Sequence, residues 1–479
     1  MENKYEYLSK YDVVIGLEIH AELNTASKCF CGCANVYGSS PNTNCCPVCL
    51  ALPGALPVLN RAAVEKTIAA GLAIGCEIND LAIFERKHYF YPDLPKAYQI
   101  SQLVRPICLG GGIKLRDGHF VRLNRIHLEE DAGKLTHNAV SHTSFVDLNR
   151  CGVPLIEIVT EPDINSAAEA VEFLEEVRSR LVFAGIAECK MEQGGMRCDV
   201  NLSLKPRGSK VLGKRTEIKN LNSFKMVARA IEHEAERQAK ILDSGKTIIT
   251  ETRKWDDGKG KTASMRTKEE SQDYRYFPDP DIYPVRITRD DVARIKGTMR
   301  PLAHELREQF VHHFHIPEYD ATVITKTREM SDFYLACVEL LKEPKVISNW
   351  LMVDLLKIMN DNNTDVIPVT PKNFVEIIKM TLDKTITKTV GLQLLLASTM
   401  DPNVSPSAVA QKMGLLVVVS EQQILGILTH IKQDKPNLVD DYKRDAKRVL
   451  PFIIGQVMKA TQGRAKSDLV EQLIPKVFK

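Results

Sequence analysis

The sequence predicts an α+β fold in which a strand-rich mixed region is followed by helical segments. Three observations carry this. Apolar and polar residues alternate over residues 13–20 (VVIGLEIH) and again over residues 197–205 (RCDVNLSLK), the period of a half-buried strand. Over residues 222–243 the apolar positions recur at helical spacing instead. Beyond residue 295 the texture is helical, and a last compact unit runs from 403 to 479.

In the first strand, Val13, Ile15, Leu17 and Ile19 share one face, while Glu18 and His20 share the other. In the second, Cys198, Val200, Leu202 and Leu204 oppose Arg197, Asp199, Asn201, Ser203 and Lys205. Such a polar face describes either a solvated edge or the floor of a polar cleft, and composition alone favours the edge. The helix at 222–243 can be capped by Asn222 or Ser223, buries Phe224, Val227, Ile231, Ala235 and Leu242, and stops before Gly245. A proline-rich run at 277–284 closes this region. Helices are expected over 330–342, 346–360 and 373–382, which sets domain boundaries at 1–294, 295–402 and 403–479.

A chain of 479 residues has room for about three domains of ordinary size. Its net charge is only +3, so any nucleic-acid surface must be local. No apolar run reaches the roughly 18 residues of a membrane helix, and the charged, aromatic first ten residues hold no signal-peptide core. A cytoplasmic location is expected. Six of the twelve cysteines fall between positions 29 and 49, and in a reducing compartment such clustering points to metal rather than disulfides.

Those cysteines include Cys31-x-Cys33 and, after 12 intervening residues, Cys46-Pro47-Val48-Cys49. Two close pairs of thiolates across a loop can close a structural four-sulfur zinc site. Cys29 or Cys45 can replace a neighbour in that set, and reduced, metal-free thiols are the alternative. No P-loop is present. Gly245-Lys246-Thr247 and Gly260-Lys261-Thr262 lack the earlier glycine, replaced by Lys240 and Trp255. Gly110-Gly111-Gly112 reads only as a flexible turn. ATP would then need carboxylates holding Mg²⁺, with separate basic side chains. The candidates are Glu18 with His20, the run Glu129-Glu130-Asp131 close behind His127, and Glu217. Taken singly, each reads as a surface carboxylate. Residues 86–99 and 273–278 interleave aromatics with Arg and Lys, which suits base stacking and a packed loop equally.

Taken in order, the motifs resemble the GatB/GatE family, the B-type subunits of the aspartyl/glutamyl-tRNA amidotransferases and the archaeal E-type subunits that share their catalytic fold. The matching stretches are VIGLEIH at 14–20, CPVC at 46–49, YFYPD at 89–93, HLEEDAGK at 127–134 and PLIEI at 154–158 with EPD at 161–163. RCDVN at 197–201, EIKNLNS at 217–223, DYRYFP at 273–278, SNWL at 348–351 and GQVMK at 455–459 complete the series. The resemblance implies a glutamine synthetase-like cradle over 1–294, a helical domain over 295–402 and a YqeY-like, tRNA-binding tail over 403–479. It implies ATP- and Mg²⁺-dependent phosphorylation of the side-chain carboxylate of mischarged Glu-tRNA(Gln) or Asp-tRNA(Asn), followed by amidation. The ammonia would come from glutamine hydrolysis in a partner amidase, the A-type subunit. A small C-type subunit would brace the pair in a heterotrimer.

In the family the metal site matches Glu18, His20, one or both of Glu129 and Glu130, and Glu217. Arg197 and Asp199 join them as catalytic candidates, and Asn201, Ser203 and Lys205 as nucleotide contacts. The polar strand face then reads better as the floor of a cleft. The tail from 430 to 479 carries eleven Lys/Arg against six Asp/Glu. Lys443 with Lys447 and Arg444 with Arg448 are four apart, which places each pair on one helix face. Lys459 and Arg464 follow near Gly463. For an isolated helix this is a solvated basic face, but the resemblance implies a grip on the tRNA backbone. The rival reading, a zinc-containing RNA-binding protein without catalysis, leaves the acidic clusters on three strands unexplained. A stand-alone small-acid ligase would act without tRNA and without the amidase partner.

Overall fold

The computed structural model describes residues 6–138, 140–267, 273–401, 403–416, 419–461, 463 and 465–478. It forms two compact units, one ending at Leu302 and one beginning at Ala303.

The first unit mixes helix and sheet. The alternating segment at 13–20 lies inside a longer strand, Tyr11–Glu22, at the centre of a ten-stranded sheet. Outward on one side run Met196–Pro206, Thr216–Lys219, Glu251–Asp256 and Lys261–Thr267; on the other lie Pro154–Thr160, Phe120–Glu130 and shorter strands. Neighbours pair antiparallel except Thr216–Lys219 with Glu251–Asp256. Alternation makes the two faces unlike. Val13, Ile15, Leu17, Ile19 and Ala21 point into the core with Cys198, Val200, Leu202 and Leu204, all nearly inaccessible to solvent. Full burial of one such Ile or Leu is worth about 1.5–3 kcal/mol. Helices Arg61–Ile74, Ala167–Phe183 and Phe224–Asp243 contribute to the same core. Asn60, Ser166 and Ser223 cap their starts through side-chain oxygens that accept backbone N–H bonds. Gly111 is more than a flexible turn residue. At φ +86° a Cβ there would lie 2.8 Å from the Cys76 nitrogen, so the close approach of two backbones requires glycine.

The two aromatic-basic stretches fold onto each other. Phe277–Pro278, Glu85–His88 and Tyr98–Ser101 form a small sheet. The Arg86 guanidinium lies 4.2 Å from the Tyr98 ring centre and pairs with Asp279 and Asp281. His88 stacks on Phe277 at 4.9 Å. These residues follow the packed-loop reading, while Phe90 and Tyr91 remain exposed.

In the second unit every regular element among the described residues is a helix. The segment expected as one helix over 346–360 is Pro344–Asn349, a π-helical turn Trp350–Leu355, and Leu356–Asp361. Gly391 packs so closely on Trp350 that a Cβ would come within 2.8 Å of the indole. Helices Glu421–Asp434, Ala446–Ala460 and Ser467–Phe478 enclose a core that includes Ile424, Leu428, Ile453, Val457, Leu473 and Phe478. Asn437–Arg444 ends at Asp445, whose backbone is non-helical (φ −150°, ψ 88°) and whose carboxylate accepts the Arg448 N–H. Lys443 and Arg444 therefore belong to a different helix from Lys447 and Arg448, and the four-residue spacing does not align them.

Candidate active site and metal centre

The face of the sheet opposite the core is polar across five adjacent strands, and register explains why. Glu18 pairs with Asp199 and His20 with Arg197 on one side, and His20 pairs with Glu157 on the other. Glu157 in turn pairs with His127, and Asn201 with Glu217. Residues directly paired across a sheet share a face, so one side collects acids from all these strands. The solvated-edge reading does not describe these residues, which are half-buried or buried.

Two clusters form there. In the first, one carboxylate oxygen from each of Glu18, Asp199 and Glu217 lies within 4.8 Å of the others. Asn201 donates to Glu18 at 2.9 Å, Thr252 to Glu217 at 2.8 Å, and Lys219 reaches both Asp199 and Glu217. Burial raises the pKa of Glu18, and the charges of Glu157 and Glu217 add to the rise. For Lys219 burial opposes the charge, but Asp199 and Glu217 outweigh it and lift the ammonium above its usual range. Three acids against one lysine leave a net negative pocket of oxygen donors, a chemistry that fits a hard divalent cation.

In the second cluster His20 lies 3.5 Å from Glu129 and 3.4 Å from Glu157, and His127 lies 3.5 Å from each. Burial disfavours charge on both acids. The histidines nevertheless hold Glu129 and Glu157 below the usual carboxylate range. His20 Nδ1 is buried without a hydrogen-bond partner. Lys87 is placed to feel Glu129 and Glu157 and is held above its usual pKa against burial.

Of the expected metal ligands, then, Glu18 and Glu217 meet in one cluster and His20 lies in the next. Glu130 joins neither. It follows Glu129 in a strand, so it points to the opposite face. Its carboxylate accepts from Lys96 and from the Ile100 N–H at 3.1 Å. Arg197 makes a bidentate contact with Asp131, at 3.0 and 3.1 Å. Ser203 is buried, and Lys205 lies 4.0 Å from Asp12 on a groove of about 410 Å³ that Tyr11, Asp163 and Arg207 also line. Sequence reasoning gave no role to Glu157, His127 or Lys219. Glu157 carries a signal, as the one charged residue of the strand Pro154–Thr160. Lys219 lies two residues from Glu217, and so on its face.

The cysteine loop forms a separate centre. The Sγ of Cys49 lies 3.6 Å from that of Cys31 and 3.8 Å from those of Cys46 and Cys33. A tetrahedral zinc with sulfurs at about 2.3 Å sets them about 3.8 Å apart, so the four residues fit the ion. Cys29 is buried in the core and Cys45 Sγ is directed at Asn149, 3.6 Å away, which leaves both outside the cluster. The Cys31 hydrogen bond, above all, draws the Cys49 pKa down to about 4 against burial.

In the tail, Lys443, Arg444, Lys447, Arg448 and Lys459 are exposed, on two helices. Arg464 lies outside the described residues.

Residues 13–293 match the GatB/GatE catalytic domain, and residues 332–477 match the GatB domain. The chain is 44% identical over 470 residues to the B-type subunit of the aspartyl/glutamyl-tRNA(Asn/Gln) amidotransferase of Caldanaerobacter subterraneus subsp. tengcongensis, covering 97% of this chain and 98% of that relative. The subunit of the same name from Caldicellulosiruptor saccharolyticus is 44% identical over 473 residues, with the same coverage. That of Lachnoclostridium phytofermentans is 44% identical over 473 residues, again with that coverage.

Proposed function

The chain belongs to the GatB family, the B-type subunits of the aspartyl/glutamyl-tRNA(Asn/Gln) amidotransferases, and from that premise we propose that it activates and amidates the side-chain carboxylate of Glu-tRNA(Gln), Asp-tRNA(Asn) or both. It is the ligase half of a glutamine-hydrolysing carbon–nitrogen ligase. It works in the cytoplasm with an A-type amidase partner, which supplies ammonia, and with a small C-type partner.

The observation that carries this reading is the convergence of Glu18, Asp199 and Glu217 on a half-buried sheet face. A carboxylate has no adequate leaving group. In the proposed reaction its oxygen attacks the γ-phosphorus of ATP and ADP departs. The ammonia lone pair then attacks the acyl carbon, phosphate leaves with the C–O bond, and a proton is lost to give the amide. Mg²⁺ held by the acids would shield the charge on the transferring phosphoryl group. Glu18 and Glu217 would hold the cation together with Asp199, and Glu129 is the carboxylate that accompanies His20. Asn201 keeps Glu18 oriented. Ser203 and Lys205 would contact the nucleotide further along the same strand. His20, Glu129 and Glu157 form the adjoining polar wall, and Arg197 is kept in place by Asp131. We assign 1–294 as the catalytic cradle, 295–402 as a helical domain and 403–479 as the tail that holds tRNA.

Glu18→Ala and Glu217→Ala in the assembled complex test this. Each should abolish ATP-dependent phosphorylation of the charged tRNA while glutamine hydrolysis persists at least in part. Normal amide formation in either variant removes that residue from the site.

A further inference from the structure

Lys28 is fully inaccessible to solvent, the least common state for a lysine. An ammonium taken out of water needs an anion or a full set of acceptors. Its Nζ donates to the Asn44 carbonyl at 2.9 Å and to Cys49 Sγ at 3.4 Å. Among the described residues no carboxylate lies within ion-pair distance of it. The side-chain partner it meets is the sulfur of Cys49, which stands within 3.8 Å of the three other cysteine sulfurs. Four thiolates around a divalent zinc carry a net charge of about −2. A centre of that charge is expensive to bury without a counter-charge, and four neutral thiols would leave Lys28 with none. Each charge accounts for the other.

We infer that Lys28 is the built-in counter-ion of the Cys31/Cys33/Cys46/Cys49 centre, a positioning residue whose buried Nζ lies against Cys49 Sγ and slows metal loss. The inference rests on the four-cysteine zinc reading and adds a partner to it. Local backbone supports the placement. The Lys28 N–H donates to the Cys33 carbonyl, and the Cys29 N–H to that of Gly152, so the lysine is pinned between the two knuckles and the sheet. Outer partners of metal ligands commonly change affinity by about 10–100-fold when removed.

The test compares wild type with Lys28→Met, Lys28→Gln and Lys28→Arg in the full chain. Zinc affinity is read by competition with a chromophoric chelator, and the Co²⁺-loaded protein by its sulfur-to-metal charge-transfer bands. Both neutral variants should bind zinc about 10-fold or more weakly. Their Co²⁺ bands should move to longer wavelength, because a thiolate without an adjacent cation gives up charge more readily. Lys28→Gln keeps a donor for the Asn44 carbonyl and serves if Lys28→Met does not fold. Lys28→Arg should recover at least part of both properties. Unchanged affinity overturns the inference, and so does weaker binding with unmoved bands, which would mean lost packing alone. Zinc-free wild-type protein would overturn the four-cysteine reading and this inference with it. Zinc in wild type with unaltered variants overturns only the role of Lys28.

Discussion

Glu129 and Glu130 are chemically identical neighbours, and the pleat of one strand gives them different work. Glu129 faces the histidine cluster, whereas Glu130 faces away and binds Lys96 and the Ile100 N–H. Glu129→Gln in the complex should lower amide formation at least about 100-fold, since charge stabilisation of this kind is worth several kcal/mol. Glu130→Gln should instead weaken folding, by about 1–3 kcal/mol for a disturbed buried charged pair, and leave turnover of the folded fraction nearly intact. Steady-state kinetics with thermal melts separate the two, and equal kinetic losses would contradict the assignment. At this scale the site was partly legible. Glu18 and His20 share a face by alternation, and strand parity already separates Glu129 from Glu130. The pairing of His20 with Glu157 is a matter of register between distant strands, which no local pattern reveals.

Elements with one apolar face were readable, and those shaped by local competition were not. The strand Tyr11–Glu22 from Ile15 onward, and the helix Phe224–Asp243, each follow a single period. By contrast the break at Asp445 depends on a carboxylate preferring the Arg448 N–H to helical continuation, and the π-turn at Trp350 coincides with the close contact of Gly391. Phe224–Asp243 also carries a buried polar knot. Glu234, fully buried, bonds Arg237, Gln238 and Thr262 and lies 3.6 Å from Arg253. Glu234→Ala should destabilise the first unit by about 3–5 kcal/mol, because two guanidinium groups lose their shared partner. Burial raises the cost of charge on Glu234, but Arg237 and Gln238 hold its pKa below the usual value. The stability it adds is therefore present above the unfolded pKa and lost as pH falls through the folded one. Denaturant curves at neutral and acid pH check both sign and size. The cysteine loop makes its own forecast of about one zinc per chain in protein prepared without chelator, and elemental analysis that finds none would exclude a zinc centre.

At the scale of the whole molecule charge is unevenly distributed along the chain. Acids are gathered on the sheet face of the first unit, and the excess of Lys and Arg lies near the C-terminus. Deleting residues 403–479 should raise the apparent KM for charged tRNA strongly and flatten its dependence on salt, since backbone contacts release counter-ions. ATP binding should survive. Equal tRNA affinity with and without the tail at ordinary salt would exclude it as the grip. The broad order of strand-rich region, helices and basic tail was readable from composition and period, while the helix on which each basic residue lies was not. Activation of a tRNA-borne carboxylate on the acidic sheet face is tested most directly by ADP formation in the assembled complex, without glutamine or ammonia, on charged and uncharged tRNA. ADP should form in proportion to mischarged tRNA, with the γ-phosphoryl group transferred to the aminoacyl side chain. ADP formed equally with uncharged tRNA, or amide formed with no ADP at all, would contradict it.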